Sequence, residues 1–302
     1  MKKLWVLLAA LAALLGCADD GTVAEPLVSV AEASSTTCAT CSNSTPAQKV
    51  ILVHGRNDTS ARWNTLVSNW SSKGYTENTN LFRIDLTSYC GDNDFCSVLS
   101  GYSATYVNES YALCLQAYIN EKVPCDADAG TCPDVDIVSH SQGGVVSRYY
   151  ARFLAGSGSP ARNVNDMVNM ASPHNGITNC ALAGSCTGVN PEDCPDSNFL
   201  HKLNGVSPQG DGSNDETPGG SATGPVHYSA TVSKKDTVVP PWCGGYYMAN
   251  PQTQQGDDYN CTSPNYTLDA DADSCTLTSG LHLTIPTNTT AINDAYCKVT
   301  TE

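Results

Sequence analysis

Positive charge is scarce in this 302-residue chain: 15 Lys and Arg stand against 30 Asp and Glu, for a formal net charge of -15. No basic face is available to neutralise phosphates, so nucleic acid is excluded as a partner. Charge of either sign is thin, at 15% of residues against 40% hydrophobic, which leaves a surface built mostly from Ser, Thr, Asn, Gly and Asp. Long apolar runs are missing as well. The run from Leu4 to Leu15 has twelve residues, short of the roughly 20 that a membrane-spanning helix needs. No internal repeat is present. Metal motifs are incomplete: Cys38-Ala-Thr-Cys41 has no second Cys/His pair at a zinc spacing. Asp269-Ala270-Asp271-Ala272-Asp273 opens like a calcium loop but lacks the sixth-position Gly and twelfth-position Glu. A solvated acidic turn is the better reading, with a structural calcium ion as the alternative; no other metal is expected.

What is present begins with Lys2 and Lys3, then the apolar run, then Gly16-Cys17, the layout of an export signal over residues 1–16. Leu14-Leu15-Gly16-Cys17 looks like a bacterial lipobox, which predicts lipidation of Cys17 and a product at the cell surface or outer membrane. Ordinary cleavage with secretion is the alternative. Residues 17–46 are rich in Ala, Ser, Thr and acids and read as a tether. Without Cys17, fourteen of the 15 cysteines remain. An even count in an exported chain predicts up to seven disulfides, whose pairing is open among on the order of 10⁵ connectivities.

Residues 47–302 are long enough for one domain with a large core. Strands are predicted at Lys49–Val53, 81–86, 134–139, 166–171 and 228–233. Helices are predicted at 61–73, 104–123, 142–155 and 286–297. This alternation predicts an α/β fold, a mostly parallel sheet with helices on both faces and its site beyond the carboxyl ends of the strands. Residues 179–224 break the rhythm, being rich in Gly, Pro, Ser, Asp and Cys, and read as a long irregular insertion.

A strand ending at Val138 runs straight into Ser139-His140-Ser141-Gln142-Gly143-Gly144 and then an apolar helix. This is a nucleophile elbow, G-x-S-x-G with Ser139 in place of the first glycine. Ser141 is the candidate nucleophile, placed over a helix N-terminus that favours negative charge. A serine hydroxyl needs a base, and the base an orienting acid. Among six histidines, His140 lies inside the elbow and is read as pointing elsewhere, His54 and His174 sit at strand ends, His201 is in the insertion and His227 opens a strand. His282, late in the chain in a glycine-containing turn, is the candidate base. Asp236, after the strand at 228–233 and before a Pro-rich turn, is the candidate acid, preferred over Asp257, Asp258, Asp269, Asp271 and Asp273 in an irregular polar stretch. The backbone N–H groups of Gln142 and of Arg56, in Val53-His54-Gly55-Arg56, are the candidate oxyanion donors. Tyr149, Tyr150, Phe153 and Leu154 could line an acyl pocket, but at their spacing they read better as core.

Six ordered segments carry a family resemblance: Leu52-Val53-His54-Gly55, the elbow with Arg148-Tyr149-Tyr150, Ala171-Ser172-Pro173-His174-Asn175-Gly176, Phe199-Leu200 with Leu203-Asn204, Asp215-Glu216-Thr217-Pro218-Gly219, and Asp236-Thr237-Val238-Val239-Pro240 through to His282-Leu283. From about Val50 onward the chain resembles bacterial secreted lipases of the α/β-hydrolase superfamily, the class 2 group. The resemblance implies Ser141 as nucleophile, Asp236 as acid and His282 as base, with hydrolysis of ester or lipid substrates and no organic cofactor; separately, membrane contact is expected through the N-terminal anchor only, and the protein is expected to be a monomer. Ser139, the extra cysteines and the long stretch between Asp236 and His282 depart from the pattern. A polyester hydrolase resembling the cutinases, and a catalytically silent binding protein on the same scaffold, are the competing expectations.

Overall fold

The computed structural model describes residues 48–56, 58–92, 107–158, 160–177, 191–195, 197–216, 226–233, 235–239, 245, 272–278 and 280–300. The predicted signal segment, Cys17, the tether, Cys38, Cys41 and the start of the acidic motif at Asp269 and Asp271 lie outside these residues, as do Asp257 and Asp258.

Among these residues six strands form one parallel sheet: β1 (Lys49–Val53), β2 (Leu81–Ile84), β3 (Val135–His140), β4 (Val164–Met170), β5 (His227–Ser233) and β6 (Ala272–Thr278). Their order is β2-β1-β3-β4-β5-β6. The chain steps outward from β1 to β2, crosses back to β3 on the other side of β1, and then proceeds strand by strand to the far edge. Direction therefore reverses between β1 and β3, the position at which sheets of this kind form a crevice beyond the carboxyl ends of their strands.

Val50 to Val53 are fully buried, and their side chains divide by alternation between two cores. Ile51 and Val53 join Ile137, Val145, Leu115 and Ile119 beneath α3 (Val107–Lys122) and α4 (Gln142–Tyr149). Val50 and Leu52 join Val138, Leu66, Trp70, Ile292 and Tyr296 beneath α1 (Asn64–Ser71) and the C-terminal helix. On that second face Trp70, Tyr75 and Tyr296 meet with ring centroids 5.0 to 6.1 Å apart. Tyr149 and Tyr150 belong to the first core, with Phe153 and Leu154 packed against it, in agreement with the core reading.

Several boundaries differ from expectation for local reasons. Leu86 is not the end of β2 but the start of α2 (Leu86–Asp92), because the Asp85 carboxylate accepts the N–H of Ser88 at 3.0 Å and caps a helix there. In the insertion, α5 (Asn198–Leu203) is capped by Ser197, which accepts the N–H of Leu200. The final helix does not begin at Pro286. A 3₁₀ segment, His282–Thr287, contains that proline, and α6 (Thr289–Lys298) starts after Asn288, whose side chain accepts the N–H groups of Thr290 and Ala291. β6 was not expected at all, and it places Asp273 in a strand rather than in an acidic turn. Disulfides join Cys90 to Cys114 and Cys125 to Cys132, and Cys194 and Cys297 are also disulfide-bonded. The first closes a loop of 24 residues, a constraint on the unfolded chain worth about 3 kcal/mol.

Candidate active site

Ser141 stands where β3 turns into α4, with φ 53° and ψ -132°. Positive φ in a residue with a side chain costs on the order of 1 to 3 kcal/mol and persists only where neighbours hold it. They do so here on both sides. The Ser141 N–H donates to the carbonyl of Met170 at the end of β4, and the Ser141 carbonyl accepts the N–H of Gly144. The elbow also demands two bare α-carbons. A methyl group on Gly143 would stand 2.5 Å from the carbonyl oxygen of His54 and 2.6 Å from that of Val53, and one on Gly55 would stand 2.8 Å from the Cβ of Ser141. Thus α4 and the β1 loop approach as closely as backbone allows.

Ser139, the departure from the elbow pattern, has a packing explanation. It is fully buried, pairs in register with Asn169 of β4, and its hydroxyl donates to the Asn169 side-chain oxygen. A hydroxymethyl group fits where the turn asks only for something small.

Asp236 and His282 come from the other side of the crevice. One carboxylate oxygen of Asp236 accepts the N–H groups of Val238 at 2.8 Å and Val239 at 2.9 Å; the other accepts from His282 Nδ1 at 2.7 Å. With Nδ1 the donor, Nε2 is the free lone pair of the imidazole, and it lies 2.9 Å from the Ser141 hydroxyl oxygen. Asp236 and His282 are both buried, while Ser141 is half-buried. The three candidates named from sequence are therefore brought together in one unbroken line.

The His282 turn is fastened from three directions. Ser233 Oγ at the end of β5 donates to the Gly280 carbonyl and accepts the Gly280 N–H. Arg62 Nη1 donates to the carbonyl of Leu283 at 2.8 Å. The third fastening corrects the reading of His140: the side chain points not elsewhere but at the base. Its Nε2 donates to the backbone carbonyl of His282 at 3.0 Å, and the two rings pack 4.9 Å apart. Complete burial, and then the neighbouring His282, hold the His140 pKa well below the ordinary histidine value, so it stays neutral. The elbow motif gave no sign of this contact, which spans 142 residues.

The other histidines are engaged elsewhere. His54 donates through Nδ1 to the Gly55 carbonyl and accepts through Nε2 from the Leu86 N–H, which shapes the β1 loop. His174 lies buried beside Arg148, His201 faces Gln209, and His227 lies 3.5 Å from Asp166.

Gln142 opens α4, where first-turn amides lack intrahelical acceptors. Arg56 follows Gly55, the residue whose α-carbon lies against Ser141, and its own side chain is exposed. Around Gln142 lies a buried polar cluster that sequence reasoning missed. Gln142 Nε2 donates to Asn108 Oδ1 at 2.7 Å, Asn108 Nδ2 donates to Asp193 Oδ1 at 2.9 Å, and the Asn108 N–H donates to Glu192 Oε2 at 2.6 Å. The partners are 34, 85 and 84 residues apart, beyond the reach of any local pattern. Among the described residues, no group of three or more His, Cys, Asp or Glu side chains is arranged to hold a metal ion.

A parallel sheet with this order, an elbow after β3, and an acid and a histidine following in chain order define an α/β-hydrolase fold. The sequence profile of the class 2 lipases matches residues 47–214, more than half of the chain, and the protein belongs to that family. No curated protein matches the chain. Among solved structures, the chain is similar to the lin2722 gene product of Listeria innocua, at 12% identity over 83% of this chain and 93% of that one, with a TM-score of 0.45. An extracellular alpha/beta-hydrolase from a Paenibacillus species is 13% identical over 82% and 97%, TM-score 0.44. Est1E of Butyrivibrio proteoclasticus is 12% identical over 83% and 85%, TM-score 0.43.

Proposed function

We propose that the protein hydrolyses carboxylic esters with an apolar acyl part, using Ser141 as nucleophile, His282 as general base and acid, and Asp236 as the group that orients it. The observation that carries this reading is the continuous Asp236–His282–Ser141 hydrogen-bonded line, at 2.7 and 2.9 Å. Nε2 takes the serine proton as Oγ attacks the ester carbonyl, and returns it to the leaving alcohol; Asp236 stabilises the imidazolium formed in between. The N–H groups of Gln142 and Arg56 receive the oxyanion. Water then repeats the sequence on the acyl-enzyme.

An apolar acyl part is favoured by the rim. Leu281 and Leu283, flanking His282, are 63% and 57% exposed and are the large hydrophobic side chains standing in solvent among the described residues. Export and lipidation at Cys17 form part of the same proposal, supported by Lys2, Lys3, the apolar run and the lipobox-like sequence; mass spectrometry of the mature N-terminus tests it. The catalytic proposal is tested with a chain-length series of p-nitrophenyl esters on the parent and on Ser141→Ala. Loss of nearly all turnover, about 10⁴- to 10⁶-fold, is expected on removing the nucleophile, with rates rising toward longer acyl chains. Turnover by Ser141→Ala at the parental rate would sink the reading.

A further inference from the structure

The polar cluster beside the nucleophile is not needed to describe the proton relay, yet it is built as a support for it. Asn108 is fully buried, and Gln142, Glu192 and Asp193 are nearly so. Such groups are tolerated in an interior only when their donors and acceptors are matched. Here they are matched in one direction only. Gln142 Nε2 donates, so the Asn108 oxygen must accept; the Asn108 amide then donates, so Asp193 must offer an acceptor oxygen. Glu192 accepts the N–H of Asn108 in the first turn of α3, where the unsatisfied amides favour a carboxylate.

The turn that carries both acids, Pro191–Asp193, is also docked onto the far side of the site. Cys194 packs with Ile177, after β4, and with Val239, the residue whose N–H holds Asp236. Around Asp193 the charged neighbours are Arg56, whose positive side chain acts on it from the β1 loop, and Glu192 on its own turn. α3 presents neutral Asn108, α4 neutral Gln142, and the strand-end loops present Ile177, Val238 and Val239. One turn of the insertion is thus joined through Asn108 to Gln142, a candidate oxyanion donor, and its Asp193 lies within the field of Arg56, the other.

We propose that Asn108 is a positioning residue that locks Gln142 against the Glu192–Asp193 turn and so fixes the N–H beside Ser141 where the oxyanion forms. The proposal rests on Ser141-dependent ester hydrolysis as read above. Asn108 touches no reacting atom. It acts by holding the first turn of α4 in register, so its removal lowers kcat and leaves KM nearly unchanged. The ionised form of Asp193 is the one that suits the Asn108 donor, since hydrogen bonds to a charged acceptor are roughly twice as strong as neutral ones. Burial pushes the Asp193 carboxyl up to about 6, against the hydrogen bond from Asn108 and the charge of Arg56. Below that pH the lock loosens.

The test measures kcat and KM with a soluble p-nitrophenyl ester for Gln142→Met, Asn108→Ala and the double variant, beside the parent. Gln142→Met keeps volume and the backbone N–H but removes the donor, and it carries the test if Asn108→Ala does not fold. Each single variant is expected to lose kcat roughly tenfold, less than the 10²- to 10³-fold lost when an oxyanion donor is removed outright. KM should stay within about threefold, and the double variant should be no slower than the slower single, because the two residues make one interaction. The ratio of parental kcat to that of Asp193→Asn should fall as the pH drops through about 6, because both then carry a neutral side chain at this position. Parental kcat in Gln142→Met, losses that simply multiply, or an identical acidic limb in Asp193→Asn would each overturn the inference. Activity surviving in Ser141→Ala would instead overturn the functional reading itself.

Discussion

The two walls of the crevice are made in different ways. The wall from β1 and β3 is backbone against backbone: Gly55 against Ser141, Gly143 against the carbonyls of Val53 and His54, and the Ser141 N–H on Met170. The wall that carries Asp236 and His282 is made of side-chain hydrogen bonds: Ser233 to Gly280, Arg62 to Leu283, His140 to the His282 carbonyl, and Asp236 to the amides of Val238 and Val239. The first wall fixes where the nucleophile is. The second fixes how a ring is turned, which needs bonds that can be tuned singly. A fault in the first should therefore be felt as stability, and a fault in the second as rate.

Asp236→Asn is the sharpest trial of that division. Its amide oxygen can still accept from Val238 and Val239, so the fold should survive with a Tm within a few degrees. The imidazole is then offered the wrong partner, and kcat should fall about 10⁴-fold. A large drop in Tm with a small loss of rate would break the comparison. Gly143→Ala comes next. Its added methyl meets backbone on the end of β1, which cannot yield as a side chain would, and a loss of about 3 kcal/mol or more is expected in denaturant unfolding. An unchanged midpoint would show that the backbone wall has slack. Ser233→Ala removes both bonds to Gly280 and should cost about 1 kcal/mol of stability and severalfold in kcat, read from the same two assays. The smallest effect belongs to the rim. Leu281→Ser with Leu283→Ser should raise KM for long acyl esters two- to threefold, about 0.5 kcal/mol of lost apolar contact, and leave kcat for an acetyl ester intact; equal effects on both substrates would mean that the leucines shape the histidine turn rather than meet the acyl chain.

The same division explains what could be read before the structure. The β1 and β3 strands, the elbow and the oxyanion loop are local strand-turn-helix patterns, and contiguous sequence contains them. Asp236 shows as a carboxylate at the end of a strand before a Pro-rich turn and His282 through chain order after the elbow, and the geometry lines them up on Ser141. What failed to show in sequence were contacts whose partners are far apart. Asn108 sits at the start of a helix and looks like any polar first-turn residue; its meaning lies 84 and 85 residues away. His140 looked incidental because nothing near it marks the carbonyl of His282. β6 was hidden for a different reason. Ala-Asp-Ser-Cys-Thr-Leu-Thr has little apolar alternation, and as a strand that among the described residues pairs with β5 alone it can form with a weak hydrophobic pattern. Leu86 and Pro286 were assigned to the wrong elements where a cap, Asp85 or Asn288, outweighed the apolar rhythm.

The 141 residues that separate Ser141 from His282, the proposed nucleophile and base, also set a timetable. A ribosome adds about 5 to 20 residues each second, so Ser141 is made on the order of 10 seconds before His282. Throughout that interval the growing chain holds an unactivated alcohol and no catalyst. On the proposed mechanism, a hydrolase whose base is pinned by Ser233, Arg62 and His140 only once the later strands have docked is silent while it is being made.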